Sequence, residues 1–218
     1  MLADLQKTVV QLIEKVERRF YGKYRGFVVD NEDPEHLGRL KVTVPSVLGP
    51  DVVTGWASPC TPYGGAANQG CLFIPEQESG VWIEFEEGDL EFPIWVGSFW
   101  SKPDGNSELP KPNKVDGKEE DDVQAPVTRK IIKTLKGHSI QLEDKDGEEM
   151  ITIVHRVDDD NVNVITMNSS GITITDFTAN QIVMKDDAFS ITSAVPFTID
   201  ASGQPVEIKA DTVDFTKA

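Results

Sequence analysis

Three histidines and two cysteines are the residues of this 218-residue chain whose chemistry could support metal binding or nucleophilic catalysis. His36, His138 and His155 stand far apart in the sequence, and neither Cys60 nor Cys71 belongs to a CxxC pair. A zinc site needs ligands at short, regular spacing. The sequence also lacks the GxSxG, HExxH and phosphate-loop motifs. It therefore predicts a protein that is not an enzyme, with no catalytic residue, no metal site and no cofactor.

The cysteines and two acidic runs are predicted to have structural roles. Cys60 and Cys71 are predicted to be buried free thiols, because a reduced cysteine packs like a small apolar residue. A disulfide between neighbouring strands is the alternative that remains open. The run at residues 119–122 (EEDD) lacks the spaced ligands and the glycine of a calcium loop, so it is predicted to be solvated linker. The run at 158–160 (DDD) is predicted to be a polar bend.

The charge of the chain argues against nucleic-acid binding. Its 21 Lys and Arg are outnumbered by 37 Asp and Glu, which gives a net charge of −16, and such a surface repels phosphate backbones. No apolar run approaches the roughly 20 residues of a membrane span. Asp4, Lys7 and Glu14 interrupt the apolar stretch that a signal peptide would need. We expect the protein to be made in the cytoplasm and kept there until it assembles.

The architecture is predicted to be all-β apart from an N-terminal helix at residues 1–21. The apolar residues of this helix follow one another at spacings of three and four: Leu2, Leu5, Val9, Leu12 and Val16. Docking on its own domain and docking on a partner both remain open. A helix of this length needs one or the other to be stable.

Residues 22–101 are predicted to form a small closed β-barrel, followed by a linker at residues 102–128. Short apolar alternations separated by Gly and Pro turns favour a barrel over an open sandwich. The alternating apolar residues are Phe27 and Val29, Leu40, Val42 and Val44, Val81, Ile83 and Phe85, and Ile94 and Val96. The linker is rich in proline, glycine and charge, so it cannot bury enough apolar surface to fold alone.

Residues 129–218 repeat a short motif in which two apolar residues stand two apart. The pairs are Ile140 and Leu142, Ile151 and Ile153, Val162 and Val164, Ile172 and Ile174, Ile182 and Met184, Phe189 and Ile191, Phe197 and Ile199, Val206 and Ile208, and Val213 and Phe215. A period of two with many β-branched residues predicts short strands with one inward face. Polar bends separate the pairs.

A strand with two inward residues buries little by itself, so these strands must be covered from outside the chain. The offset between pairs shortens to 7–9 residues toward the C-terminus, which is too short for a single-chain solenoid coil. Three chains wound about one axis could bring all the pairs together. The segment is therefore predicted to be a triple-stranded trimeric β-helix, with the paired residues as its trimer core.

Five motifs follow one another along the chain: LGRLKV at 37–42, GCLFIP at 70–75, GVWIEFEEGD at 80–89, FPIWVG at 92–97 and KGHSIQLED at 136–144. Together they resemble one known family, the phage baseplate assembly protein V and the related spike proteins of contractile injection systems. The resemblance covers residues 24–100 and 130–155. It implies an OB-fold barrel at 22–101 and a needle at 129–218.

The resemblance also implies the partners of the protein. A homotrimer would plug the tip of the tail tube, sit on a separate tube-like hub protein and puncture the target membrane transiently. It would lie in the baseplate of a phage tail or tail-like particle. Leu5, Val9, Leu12 and Val16 are the candidates for contact with the hub. Val213 and Phe215 are the candidates for contact with a PAAR-type tip protein.

Other functions remain open at this point. The four tryptophans, Trp56, Trp82, Trp95 and Trp100, could stack on sugars or bases, but the lack of basic neighbours favours packing against hub or needle. The alternative function is a trimeric tail-associated protein that binds a receptor or glycan. A glycan-degrading β-helix is disfavoured, because the short offsets leave too narrow a coil for clustered carboxylates.

Overall fold

The computed structural model describes residues 6–10, 13 and 19–216, which belong to two compact units, Met1–Glu108 and Leu109–Ala218. Residues 6–10 and Ile13 are helical, as predicted, and Val9 is 45% exposed. The other hub-contact candidates, Leu5, Leu12 and Val16, lie outside the described residues. No helix within the described ranges has the length and apolarity that crossing a membrane requires.

The first unit is a six-stranded, mostly antiparallel sheet. Its strands are β1 (Tyr24–Asp30), β2 (Lys41–Val44), β3 (Gly49–Val53), β4 (Ser58–Pro59), β5 (Gly80–Phe85) and β6 (Pro93–Ser98). They lie in the order β3-β2-β1-β5-β6-β4, with β4 parallel to β6. The described residues of this unit also form a helix at Pro45–Leu48 and 3-10 turns at Glu86–Gly88 and Pro103–Gly105.

The core of this unit confirms the predicted inward faces of β2 and β5 but not those of β1 and β6. The buried residues are Val28, Leu40, Val42, Val44, Ala57, Val81, Ile83, Phe85 and Trp95. The prediction that Phe27 and Val29 face inward is wrong: Val28 does, while both of its neighbours are more than 40% exposed. On β6, Trp95 rather than Ile94 or Val96 is buried. Both strands carry apolar residues in either phase, so alternation alone could not decide between their faces.

The sheet is curled, because residues beside two strands far apart in its order are hydrogen-bonded to each other. Leu40, before β2, and Ala57, before β4, exchange both backbone hydrogen bonds at 3.1 and 2.7 Å. In a flat sheet β2 and β4 would be four strand spacings apart, or roughly 19 Å. The indole of Trp95 adds a second connection by donating to the carbonyl of Gly38 at 3.1 Å.

The second unit is a seven-stranded antiparallel sheet in which each strand pairs with the next. Its strands are β7 (Arg129–Lys133), β8 (Ser139–Glu143), β9 (Met150–Arg156), β10 (Val162–Asn168), β11 (Gly171–Thr175), β12 (Gln181–Met184) and β13 (Phe189–Thr192). The first six predicted pairs all lie in strands. Residues 193–216, which carry the last three pairs, contain no strand in the single chain.

Residues 112–120, which the composition assigned to a solvated linker, instead lie on one face of this sheet. We call them the strap. Pro112 and Asn113 are fully buried, and the backbone N–H of Asn113 donates to Gln141 Oε1 at 2.8 Å. The amide of Asn113 donates to the carbonyl of Gly117 at 2.6 Å, which closes the strap into a tight loop. Polar composition misled the prediction, because the strap docks through hydrogen bonds rather than through apolar burial.

Candidate assembly surface

One face of the seven-stranded sheet consists almost entirely of large aliphatic side chains. Directly paired residues of antiparallel strands project from the same face, so the register defines two rows across the sheet. The first row is Ile132, Ile140, Ile153, Ile165, Ile174, Ile182 and Ile191. The second is Leu142, Ile151, Met167, Ile172, Met184 and Phe189, with Lys130 at the β7 end. We call the side of the sheet that carries these rows the aliphatic face.

The aliphatic face is not covered within a single chain. Ile132, Ile191 and Phe189 are 51%, 55% and 66% exposed, and the remaining members are exposed or half-buried. A contiguous apolar patch of this kind is unusual on a monomeric protein and marks an interaction surface. The cross-strand rows make it a continuous surface rather than a set of scattered apolar residues.

The opposite face carries the polar side chains and is the buried one. Thr152, Gln141 and Ser139 are at most 4% exposed there, beneath the strap. Gly117 of the strap comes so close to Val164 and Val162 that a Cβ at this position would clash with them, and its φ of +82° favours glycine as well. The chain thus covers the polar face with its own residues and leaves the aliphatic face open.

The register corrects one of the predicted core pairs and adds three residues that the sequence analysis missed. Val164 pairs with Val154 and Thr175 under the strap, so Val162 and Val164 lie on the face opposite the aliphatic rows. β10 contributes Ile165 and Met167 instead. Its sequence VNVITM contains two successive apolar pairs in opposite phases, and only the pairing with β9 decides which pair faces which way. Ile132 was missed because Ile131 beside it is also apolar.

The last three predicted pairs are exposed in the single chain. They are Phe197 and Ile199, Val206 and Ile208, and Val213 and Phe215, which range from 50% to 92% exposed. The two tip-contact candidates are Val213 and Phe215, and Phe215 is the most exposed of the six. These residues alternate as residues of a β-strand do, but within the described part of the chain they form no strand and their side chains stay exposed.

Beside the strap, Arg129 at the start of β7 is the centre of a partly buried ionic network. Its guanidinium donates to Glu143 Oε2 and Glu120 Oε1, each at 2.6 Å, and to the carbonyl of Asn113 at 3.0 Å. Lys133 pairs with Glu119 in the same region. Two residues of the acidic run thus attach the strap to the sheet, where a solvated linker had been predicted.

The carboxylate of Glu143 is 5% exposed, yet it is held in its charged form. Burial raises its pKa, but the surrounding side chains of Thr128, Gln124 and Arg129 outweigh burial and lower the pKa to about 2. Because the folded pKa is below the ordinary glutamate value of 4.5, this group stabilises the fold fully above pH 4.5. Its contribution is lost as the pH falls from 4.5 toward 2.

Replacement of Glu143 by glutamine is therefore expected to make the second unit less sensitive to acid. Urea midpoints from far-UV circular dichroism at pH 5 and pH 3 would show a smaller fall for E143Q than for the wild type. Glu148→Gln, in an exposed pair with Lys145, is the matched control and should keep the wild-type fall. Equal falls in E143Q and the wild type would contradict the assignment.

The cysteines and histidines considered for metal binding or catalysis do not come together in one cluster among the described residues. Cys60 and Cys71 are free but exposed, so the prediction that they are buried is wrong. His138 and His155, distant in sequence, stack with ring centroids 4.9 Å apart. Among the described residues no cluster of three or more His, Cys, Asp or Glu could hold a metal ion.

The tryptophans do not form one shared platform. Trp95 lies in the core of the first unit, Trp56 contacts Arg39 and Lys41, and Trp82 packs on Phe99.

Comparison with known protein families gives two matches, one in each unit. Residues 24–100 match the type VI secretion system/phage-baseplate injector OB domain. Residues 130–215 match the phage baseplate V C-terminal trimerisation domain, which includes every strand of the second unit except the first residue of β7. No curated protein matches the chain.

Proposed function

Because the chain belongs to the phage baseplate V family, we propose that it is the trimeric central spike of the baseplate of a contractile injection system. In this role the protein is structural and not enzymatic. It plugs the tip of the tube in a phage tail or tail-like particle and punctures the target membrane when the machine contracts.

The observation that carries this proposal is the uncovered aliphatic face. Its residues lie within the span that matches a trimerisation domain, and three copies facing a common axis would cover all three faces at once. Completing the burial of an isoleucine that is about two-fifths exposed contributes roughly 1 kcal/mol. Across both rows this amounts to on the order of 10 kcal/mol per chain. Assembly then adds this free energy to the stability of the second unit.

The C-terminal segment completes the proposed needle. Residues 193–216 carry the same two-apart apolar pairs as β8–β13 but lack a strand in the single chain. In the trimer, strands of neighbouring copies supply the missing hydrogen-bond partners, and the segment continues as an intertwined triple-stranded β-helix. The exposure of these six apolar side chains supports the proposal, because they need a partner to be covered.

The spike binds two different proteins in this proposal. The N-terminal helix, through Leu5, Val9, Leu12 and Val16, docks on a tube-like hub protein. A PAAR-type protein covers the exposed side chains of Val213 and Phe215.

Measurement of the mass in solution by sedimentation velocity tests the assembly. We expect a single species of three times 24.1 kDa at neutral pH. A stable monomer would overturn the proposal. A count of copies per purified particle separates the spike from a receptor- or glycan-binding tail protein, because the central axis accommodates one trimer and peripheral positions hold several.

A further inference from the structure

The stacked histidines extend the aliphatic face by a third, polar row. His138 precedes Ile140 by two residues and His155 follows Ile153 by two, so both rings project from the aliphatic face. Their planes are 5° from parallel, with centroids 4.9 Å apart. Within one chain His155 is exposed and His138 half-buried. The pair therefore lies at the rim of the surface that the proposed trimer buries.

Hydrogen bonds fix the same neutral form for both rings. The backbone N–H of Arg156 donates to His138 Nδ1 at 3.2 Å, so that nitrogen is an acceptor and Nε2 carries the proton. Asn163 accepts from the backbone N–H of Phe177 through Oδ1 at 2.9 Å, which leaves its NH₂ group to face His155. That NH₂ group lies 3.0 Å from His155 Nδ1, so this nitrogen is also an acceptor.

A proton added to Nδ1 of either ring would disturb this hydrogen-bonded arrangement. Protonation of either Nδ1 breaks a hydrogen bond to its donor and brings two donors face to face. Protonation of both rings stacks two cations, which repel more strongly once neighbouring chains exclude water. Since Nε2 of each neutral ring is protonated, the pair also offers no free nitrogen to a metal ion.

The charged groups around the pair do not compensate for these protons. Arg156, on the strand of His155, pairs with Asp159 in the following turn at 3.4 Å. Lys136 lies exposed in the turn before His138 and adds positive charge. Asp176, in the loop after β11, already accepts hydrogen bonds from Asn180 and Thr178.

We propose that the His138–His155 pair makes the trimer acid-sensitive, because a proton added to either Nδ1 removes the hydrogen bond that this nitrogen accepts and loosens the rim of the assembly surface. This inference rests on the proposed trimer. Both pH values of the test below, 7.5 and 5.5, lie above the range in which Glu143 loses its charge, so the two effects are separable.

The test compares the wild type with H138Q/H155Q at pH 7.5 and pH 5.5, using far-UV circular dichroism melting and sedimentation. The wild-type midpoint should fall by about 5 °C, the shift that loss of one net hydrogen bond causes in a domain of this size, and the trimer fraction should fall with it. H138Q/H155Q should show less than half of that fall. His36→Gln, which changes the third histidine, in the first unit, is the matched control and should behave as wild type.

An equal fall in H138Q/H155Q and the wild type would overturn the inference. A second measurement needs no variant: ¹⁵N spectra of the imidazoles at pH 7.5 should show both rings protonated at Nε2, and Nδ1 protonation of either ring would overturn the inference as well. A wild-type monomer at pH 7.5 would instead overturn the trimer itself, while the melting and spectroscopic measurements still decide the role of the pair.

Discussion

Replacing Ile172 and Ile174 with aspartate is expected to convert the trimer into monomers that keep their fold. Both residues lie on β11 in the middle of the aliphatic face, where they pair with Met167 and Ile165 on one side. A trimer of I172D/I174D would bring six carboxylates into an apolar interface. An ion in such a site costs several kcal/mol even after relaxation, which exceeds what the neighbouring contacts return.

The fold should survive, because the two side chains are exposed or half-buried in the single chain. Sedimentation at the protomer concentration used for the wild type should give a monomer, and far-UV circular dichroism should still show β-structure. Ser190→Asp with Thr192→Asp is the matched control, since it places the same charges on β13 of the same sheet, where both side chains are exposed and lie on the opposite face. This variant should remain trimeric. Trimers of I172D/I174D at wild-type yield would rule out the aliphatic face as the interface.

Alternation along a strand predicted the buried face only where apolar residues occupy a single phase. The other phase of β2 holds Lys41 and Thr43, and that of β5 holds Trp82 and Glu84, so neither contains an aliphatic residue. The inward residues of both strands were predicted correctly. β1, with Phe27, Val28 and Val29 in succession, and β10, with VNVITM, carry apolar residues in both phases. The buried face of such a strand depends on the register with its neighbour. That register is a property of the sheet and is not encoded in the strand.

The sequence analysis predicted a self-assembly surface, but it did not predict that the strap covers the opposite face of the same sheet. Ten of the predicted core residues, Ile140, Leu142, Ile151, Ile153, Ile172, Ile174, Ile182, Met184, Phe189 and Ile191, lie together on the aliphatic face. The strap escaped prediction because apolar patterning cannot detect a segment that docks by hydrogen bonds and ion pairs. Covering the polar face internally leaves the aliphatic face as the surface available for other copies.

Removal of the Arg129 guanidinium should show how much the strap depends on its ionic network. Arg129→Met keeps the length of the side chain but leaves Glu143 nearly buried without its cation and Glu120 without its partner. Loss of one partner from a buried ion pair costs about 3–5 kcal/mol. The expected result is a fall of that size in the free energy of unfolding of the second unit. Arg129→Lys retains the charge but cannot contact both Glu143 and Glu120. Its free energy of unfolding should therefore lie between those of the wild type and R129M.

The measurement separates the two units, because all four tryptophans lie in the first unit. Tryptophan fluorescence during urea unfolding should be unchanged by R129M, whereas the far-UV circular dichroism transition of the second unit should move to lower urea. The monomeric I172D/I174D background removes the contribution of assembly to stability. Lys130→Ala is the matched control, since Lys130 and Asp144 are both 64% exposed and such a pair contributes less than about 1 kcal/mol. If R129M and K130A destabilised the second unit equally, the network would have no special role in holding the strap.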